Sequence, residues 1–171
     1  PHRSQTWKLF GDKLMRMATH PSALFMALVG AEVRAWNALD AALRDAGNPL
    51  SLGRFLVLRT VRDTPACRIQ EVAESQGITL GAASRLVDRL RRDGLLHRTP
   101  CEHDRRAIIL TVTDAGIDHL ASAETIIAAE QDRLFAPLSP NQRDSFARAL
   151  TLIAEASDPA RRSAAARRGR A

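Results

Sequence analysis

Hydrophobic residues recur along most of the chain at steps of three and four, the spacing that predicts amphipathic helices. Two stretches differ, because residues 95–99 and 107–113 read as strands, and β-branched residues dominate the second. Between them lies a polar tip, residues 100–106. The pattern predicts a mainly α-helical protein with a single small β-hairpin.

A tight turn joins the two helices that precede the hairpin. The first, residues 69–76, ends at Gly77, since glycine readily takes the left-handed backbone that follows many helices. Thr79 is then placed to cap a second helix with its hydroxyl, and Gly94 follows that helix. The hydrophobic stripe of the second helix consists of Ala83, Leu86, Val87 and Leu90. Its opposite face consists of Ala82, Ser84, Arg85, Asp88, Arg89 and Arg92.

Two helices joined by a glycine turn form a helix-turn-helix, whose second helix enters the major groove of DNA. Small residues let the backbone of that helix approach DNA, and arginines offer paired donors to guanine edges or phosphates. An ordinary helical hairpin with a solvated charged face is the alternative interpretation. The β-hairpin favours DNA binding, because Arg105 and Arg106 at its tip suit the wing of a winged helix in a minor groove.

Two more helices and a strand are predicted before the helix-turn-helix. A long helix begins at Pro21 and ends near residues 47–49, which carry three successive stop signals. Ser51 is placed to cap the next helix, residues 52–62. Residues 67–69 are predicted to add a short strand beside the wing.

Two helices are predicted after the wing. The first is long and ends at Pro137, and a capping box at residues 139–142 opens the second. We expect that neither helix buries its hydrophobic stripe inside so small a domain. With the first long helix, they therefore predict an intertwined dimer.

The combination of these features resembles the multiple-antibiotic-resistance regulator (MarR) family of dimeric winged-helix repressors. The motifs that carry the resemblance are Ala83-Ser84-Arg85-Leu86-Val87-Asp88-Arg89-Leu90, Gly94-Leu95-Leu96, Asp104-Arg105-Arg106-Ala107 and Val112-Thr113-Asp114-Ala115-Gly116. They are specific in combination, and the flanking helices extend the resemblance over about residues 20–156. The chain departs from the pattern at Cys101 and Glu102, where many members have aspartate or proline. It also departs at Thr79 and Leu80, where some relatives have an acidic residue or a proline.

The resemblance implies a winged helix-turn-helix flanked by N- and C-terminal dimerisation helices. The expected segments are a basic N-terminal extension that can hold a short helix (1–20), an N-terminal dimerisation helix (21–50), the winged helix-turn-helix (51–113), C-terminal dimerisation helices (114–157) and a basic, disordered tail (158–171). In such a dimer, two recognition helices would read half-sites of a pseudo-palindromic operator about 34–36 Å apart.

The expected DNA contacts lie on the second helix and on the wing. They are Thr79, Gly81, Ala82, Ser84, Arg85, Arg89, Arg92, Asp104, Arg105 and Arg106. Arg85 and its small neighbours are expected to face base edges. Arg89 and Arg92 are expected to hold phosphates. On the wing, Arg105 or Arg106 is expected to enter the flanking minor groove.

The resemblance also implies regulation by a small, often aromatic, ligand bound between the dimerisation helices and the DNA-binding lobe. Such a ligand shifts the spacing between the two recognition helices of the dimer. It can do so only if its affinity differs between the two spacings. From their positions, His20, Trp36 and Phe55 are candidates to line its site. Trp36 also fits a core or interface position in which its indole N–H finds a partner.

Composition limits the remaining classes of protein to which the chain could belong. The formal net charge is +6, but the tail after residue 158 holds five arginines, so the local arrangement argues for DNA better than the total does. No apolar run has the length of a membrane span, and no leader pattern opens the sequence. Two cysteines do not indicate a disulfide framework, and a cytoplasmic protein is the simplest interpretation.

No constellation of residues predicts an enzyme, a cofactor or a metal site. His97, Cys101, Glu102 and His103 lie close in sequence, but their spacing fits no compact tetrahedral zinc pattern. Two alternative functions stay open: a redox sensor of the same fold that uses Cys101 beside the wing arginines, and a winged helix that binds a protein. Cys67 is expected to be buried or half-buried, and inert.

Overall fold

The computed structural model describes residues 20–100 and 108–157 and divides the chain into two units, Pro1–Glu130 and Gln131–Ala171. Its elements are helices α1 (Pro21–Asp45), α2 (Leu52–Asp63), α3 (Ile69–Gln76) and α4 (Leu80–Arg92), strands β1 (Leu96–Pro100) and β2 (Ile108–Val112), and helices α5 (Asp114–Phe135) and α6 (Pro140–Ser157). This order confirms the predicted mainly helical chain with one β-hairpin. None of these helices combines the length and the hydropathy that crossing a lipid bilayer requires.

The turn between α3 and α4 is the one that the glycine and the threonine predict. Gly77 ends α3 with φ 61° and ψ 31°, in the left-handed region that favours glycine. The hydroxyl of Thr79 accepts a hydrogen bond from Ala82 N at 3.2 Å and so caps the first turn of α4. Gly94, with φ 73°, redirects the chain from the end of α4 into the hairpin.

The two strands pair antiparallel, with Leu96 opposite Val112 and Pro100 opposite Ile108. Leu96 and Leu110 are buried, so one face of the hairpin belongs to the core of the first unit. The first strand begins one residue later than predicted, because Leu95 still belongs to the connection from α4.

The prediction of a short strand at residues 67–69 is wrong. This segment contributes a single ladder-like hydrogen bond, in which Leu110 N donates to Cys67 O at 2.8 Å. Arg68 is already the N-cap of α3, and its backbone N–H donates to Glu71 Oε2 at 2.9 Å. Pairing cannot continue, since the chain turns into a helix immediately after its first contact with β2.

Ser51 is the N-cap residue of α2, as predicted, but its side chain makes no capping hydrogen bond. The capping acceptor comes instead from α1, where Asp40 Oδ1 accepts a hydrogen bond from Leu52 N at 2.8 Å. The sequence prediction therefore placed the helix start correctly and its stabilising contact wrongly, because the acceptor lies on another helix.

One hydrophobic core lies within the first unit. Its fully buried side chains include Leu43, Leu50, Phe55, Val57, Leu58, Val72, Val87, Leu90, Leu96 and Leu120. The expectation that neither C-terminal helix buries its stripe is wrong for the first half of α5, where Leu120, Ala123 and Ile127 are buried in this core. Gly116 makes that close approach possible, because a Cβ there would lie 2.5 Å from Leu95 O.

In the second unit, α6 opens with the predicted capping box. Ser139 N donates to Gln142 Oε1 at 2.9 Å, and Gln142 N donates to Ser139 Oγ at 3.4 Å. The described part of α6 contains no buried residue. Its apolar side chains therefore remain open to a partner surface.

Candidate nucleic-acid interface

Helix α4 has two faces of opposite chemistry. Ala83, Val87 and Leu90 are buried, which fixes the helix against the core. The exposed residues of α4 are Leu80, Gly81, Arg85, Arg89, Arg91 and Arg92, whereas Ala82 and Ser84 are half-buried. At 3.6 residues per turn, the predicted contacts from Gly81 to Arg92 lie within an arc of roughly 160° on the side opposite the buried stripe.

The N-terminal turn of α4 presents little steric bulk. A Cβ on Gly81 would meet only the Nη1 atom of Arg85, at 3.7 Å, so nothing in the free protein requires glycine there. Leu80, at the first helical position, has 58 % of its surface exposed. Leu80 is not among the contacts predicted above, because it precedes Ala83 by three positions and Val87 by seven, and this spacing alone places it with the buried residues. An exposed leucine here suits the methyl group of thymine.

The arginines of α4 differ in how firmly they are held. Arg92 Nε donates to Asp88 O at 3.4 Å, one turn back along the helix. In the described ranges, the side chains of Arg85 and Arg89 form no hydrogen bond or ion pair with another residue, so both guanidinium groups are available to a ligand. Arg91, which is not among the predicted contacts, lines a groove with His97 and Arg98 of β1.

Two ion pairs tie α4 to other elements. Arg98 Nη1 of β1 lies 3.0 Å from Asp88 Oδ1, and Arg54 of α2 pairs with Asp93 at the C-terminal end of α4. Sequence spacing gives no sign of either pair, because each joins residues of different elements. Both ion pairs help to hold α4 in a fixed orientation, which the predicted DNA interface requires.

The wing contacts predicted at Asp104, Arg105 and Arg106 lie outside the described residues, as does Cys101. These assignments remain predictions. The N-terminal extension and the basic tail also fall outside the described ranges.

The three candidate ligand residues have different surroundings. Phe55 is 2 % exposed within the core, and the guanidinium carbon of Arg59 lies 5.3 Å from its ring centroid. Trp36 is 41 % exposed, and its Cζ2 atom lies 3.9 Å from where a Cβ on Gly53 would be. His20 caps α1 by accepting a hydrogen bond from Ser22 N, about 24 Å along that helix from Trp36. Within one chain, the structure does not bring His20 and Trp36 together.

Burial raises the pKa of the Cys67 thiol to about 11, and the charge of Glu71 adds to the shift. Cys67 is fully buried, which confirms the expected burial, and its lack of reactivity stays a prediction. Among the described residues, no three side chains of histidine, cysteine, aspartate or glutamate are grouped as a metal site requires.

Comparison with known proteins identifies the arrangement. The family model described as "MarR family" matches residues 50–108, which span α2 to the start of β2. The solved structure of the transcriptional repressor CouR bound to a 23-mer DNA duplex is 31 % identical in sequence, with a TM-score of 0.72. The alignment covers 81 % of this chain and 96 % of CouR. The chain belongs to the MarR family.

Two other relatives agree with this assignment. The PcaV transcriptional regulator from Streptomyces coelicolor, solved in complex with its natural ligand, is 25 % identical, with a TM-score of 0.67, over 83 % of this chain and 96 % of PcaV. The HTH-type transcriptional regulator YfiV from Bacillus subtilis (strain 168) is 22 % identical over 77 % of this chain and 76 % of its own. As a MarR-family winged-helix protein, this chain is a DNA-binding transcriptional regulator, and the family consists of regulators rather than enzymes.

Proposed function

We propose that this MarR-family protein is a homodimeric repressor that binds a pseudo-palindromic operator and is released by a small aromatic ligand. The observation that carries the proposal is the division of α4 into a buried apolar face and an exposed face with free arginines. In this proposal Arg85 reads base edges beside Gly81, Ala82 and Ser84, and Thr79 approaches the DNA at the capped end of the helix. Arg89 and Arg92 hold phosphates, and the wing residues Asp104, Arg105 and Arg106 bind the neighbouring groove.

Exposed apolar surface supports the homodimer. The large apolar side chains that α1 exposes are Leu24, Phe25, Met26, Val29, Val33 and Trp36. On α6, Phe146, Leu150 and Ile153 form a stripe whose members are 43 %, 38 % and 48 % exposed. A monomer rarely leaves this much clustered apolar surface in water, so a second copy is the natural cover. We assign dimerisation to residues 21–50 and to the part of residues 114–157 beyond Ile127.

The ligand proposal rests on Trp36. Its indole is only partly covered and lies beside Gly53, where α1 meets α2. An aromatic ligand that stacks there would touch both a dimerisation helix and the DNA-binding unit. A site that also includes His20 requires the second subunit, because His20 and Trp36 are far apart on one helix. Phe55, the third candidate, is a buried core residue of α2. PcaV, solved with its natural ligand, is a precedent for effector binding in the family.

Selection from a random duplex pool tests the DNA proposal. Wild-type protein is expected to enrich a two-fold-related sequence with half-site centres about one helical turn apart. Arg85→Ala should weaken binding to that duplex by roughly 10- to 100-fold, because a good arginine–guanine pair discriminates by about 1–3 kcal/mol. Arg44→Ala, which removes an exposed arginine of α1, is the matched control and should bind normally. A pool with no enriched sequence contradicts the proposal.

The ligand and the direction of regulation each require a separate experiment. Aromatic carboxylic acids added to the complex are expected to release the DNA, and Trp36→Ala should abolish that release while leaving affinity for DNA intact. In transcription from a promoter that overlaps the selected sequence, transcript should fall with protein and return with the ligand. Activation by the protein would contradict the repressor assignment.

A further inference from the structure

We propose that Arg98 of β1 is a positioning residue of the DNA interface, which neutralises Asp88 and thereby keeps the DNA-facing side of α4 attractive to phosphates. The proposal rests on the proposed function, since it assumes that this side of α4 faces DNA. It adds a residue outside the recognition helix and outside the wing tip to the interface.

Asp88 is the only acidic residue of α4, and it lies within the basic face. Arg85 precedes it by three positions and Arg92 follows it by four, so all three side chains are neighbours on the helix surface. The Asp88 side chain is 41 % exposed. A bare carboxylate at this point would repel the phosphates that the arginines attract.

The basic residues of α4 itself do not neutralise this carboxylate. Arg92 directs its Nε to the backbone carbonyl of Asp88, not to the side chain. Among the described residues, the ion-pair partner of the Asp88 carboxylate is Arg98, whose Nη1 lies 3.0 Å from Oδ1. The cancelling charge therefore comes from the hairpin, and it also ties β1 to the recognition helix.

The surroundings of Arg98 argue against direct phosphate binding. Its Nε and Nη2 atoms have almost no solvent-accessible surface and no hydrogen-bond partner within the described part of the chain. An arginine that binds a phosphate presents these N–H groups together as a fork. In Arg98 both are already enclosed, so this guanidinium does not offer that fork to DNA.

A charge-swap series tests the proposal on the duplex that the wild type selects and on a scrambled duplex of equal composition. Arg98→Gln, which exposes the charge of Asp88, should weaken binding about tenfold on either duplex. Combining it with Asp88→Asn should return affinity to within about threefold of wild type, since the net charge is then restored. Asp88→Asn alone should bind at least as tightly as wild type.

Arg44→Gln is the matched control, because it also removes one positive charge and one ion pair, that with Asp40 on α1. It should leave affinity unchanged. Thermal unfolding of each variant separates loss of fold from loss of binding. Asp88→Asn alone gives an answer even where Arg98→Gln unfolds, and weaker binding by that variant overturns the proposal.

Two further results also overturn it. If Arg98→Gln binds like wild type, the pair has no role at the interface. If the double variant stays as weak as Arg98→Gln and its salt dependence falls by about one phosphate contact, Arg98 binds DNA directly. Equal wild-type affinity for both duplexes contradicts the proposed function. The ranking of the variants by DNA affinity still tests the role of Arg98. A wild type that binds neither duplex contradicts both.

Discussion

The hydroxyl of Thr113 donates a hydrogen bond to Gly94 O at 2.8 Å, and so joins the residue before α5 to the turn that follows α4. The same oxygen accepts a hydrogen bond from Gly116 N at 3.0 Å, which caps the first turn of α5. One side chain therefore fixes the end of the recognition helix, the base of the hairpin and the start of the next helix relative to one another.

Replacing Thr113 with valine keeps its shape but removes both hydrogen bonds. We expect a loss of about 1–3 kcal/mol in the free energy of unfolding, because a cap is lost and two backbone groups lose their partner. Urea unfolding measures it. Thr125→Val is the control, since the exposed Thr125 hydroxyl donates to Ala121 O in its own helix. Equal losses in the two variants would contradict a special role for Thr113.

Gly116→Ala should destabilise the protein by about 1–3 kcal/mol, the usual cost of overpacking. A Cβ there would lie 2.5 Å from Leu95 O and 2.6 Å from Val112 Cγ1, and the first of these is backbone that cannot yield easily. Gly53→Ala provides the contrast, because its Cβ would meet only Trp36 Cζ2 at 3.9 Å. That helical position should tolerate or even favour alanine, and comparing the two melting temperatures checks both expectations.

Local signals predicted most of the fold. The turn at Gly77, the cap at Thr79 and the capping box at residues 139–142 all depend on neighbours in sequence, and the structure has each of them. The errors came from contacts between distant segments. The cap of α2 comes from Asp40 of another helix, and the segment at Cys67 is cut short by the start of α3.

At the candidate site too, local spacing predicted some features, whereas contacts between distant segments could not be predicted. The spacing along α4 predicted which side chains are buried and which arginines face outward, because that spacing alone sets the faces of a helix. It could not show that Arg98 holds Asp88, or that Arg54 holds Asp93, since these pairs depend on how β1 and α2 approach α4. The burial of Leu120 likewise follows from the angle at which α5 leaves the wing, which Gly116 allows.

Gly81→Ala separates the requirements of folding from those of DNA binding. The open space around Gly81 and the higher helix propensity of alanine predict an unchanged or slightly higher melting temperature. Binding to the selected duplex should nevertheless weaken, because a methyl group would stand between the helix backbone and the base edges. Electrophoretic mobility shift measures it, and undiminished affinity would show that α4 does not approach DNA closely at this position.

Leu150→Glu should convert the dimer into monomers. Leu150 lies with Phe135 and Phe146 in a groove of the second unit, and burying a carboxylate against these apolar side chains in a dimer interface is costly. Thr151→Glu places the same charge about 100° further round α6 and should leave the dimer intact. Sedimentation velocity at micromolar concentration distinguishes the two, and a wild type that sediments as a monomer would remove the basis of the homodimer proposal.

Cys67 provides a pH-dependent test of the core beside the hairpin. In a Cys101→Ser background it is the sole thiol, and burial that raises its pKa to about 11 should keep it slow to react with a disulfide reagent at pH 8 unless the protein is unfolded. Because the pKa is higher in the folded state than the value of 9.0 for a free thiol, the protonated form favours folding.

The contribution of this thiol to the free energy of unfolding is complete below pH 9 and is lost as the pH rises toward 11, by about 1 kcal/mol at pH 10. Adding Cys67→Ala should remove that part of the pH dependence. Urea unfolding at pH 8 and pH 10 measures it, and parallel behaviour of the two proteins would mean that the thiol reaches water in the native state.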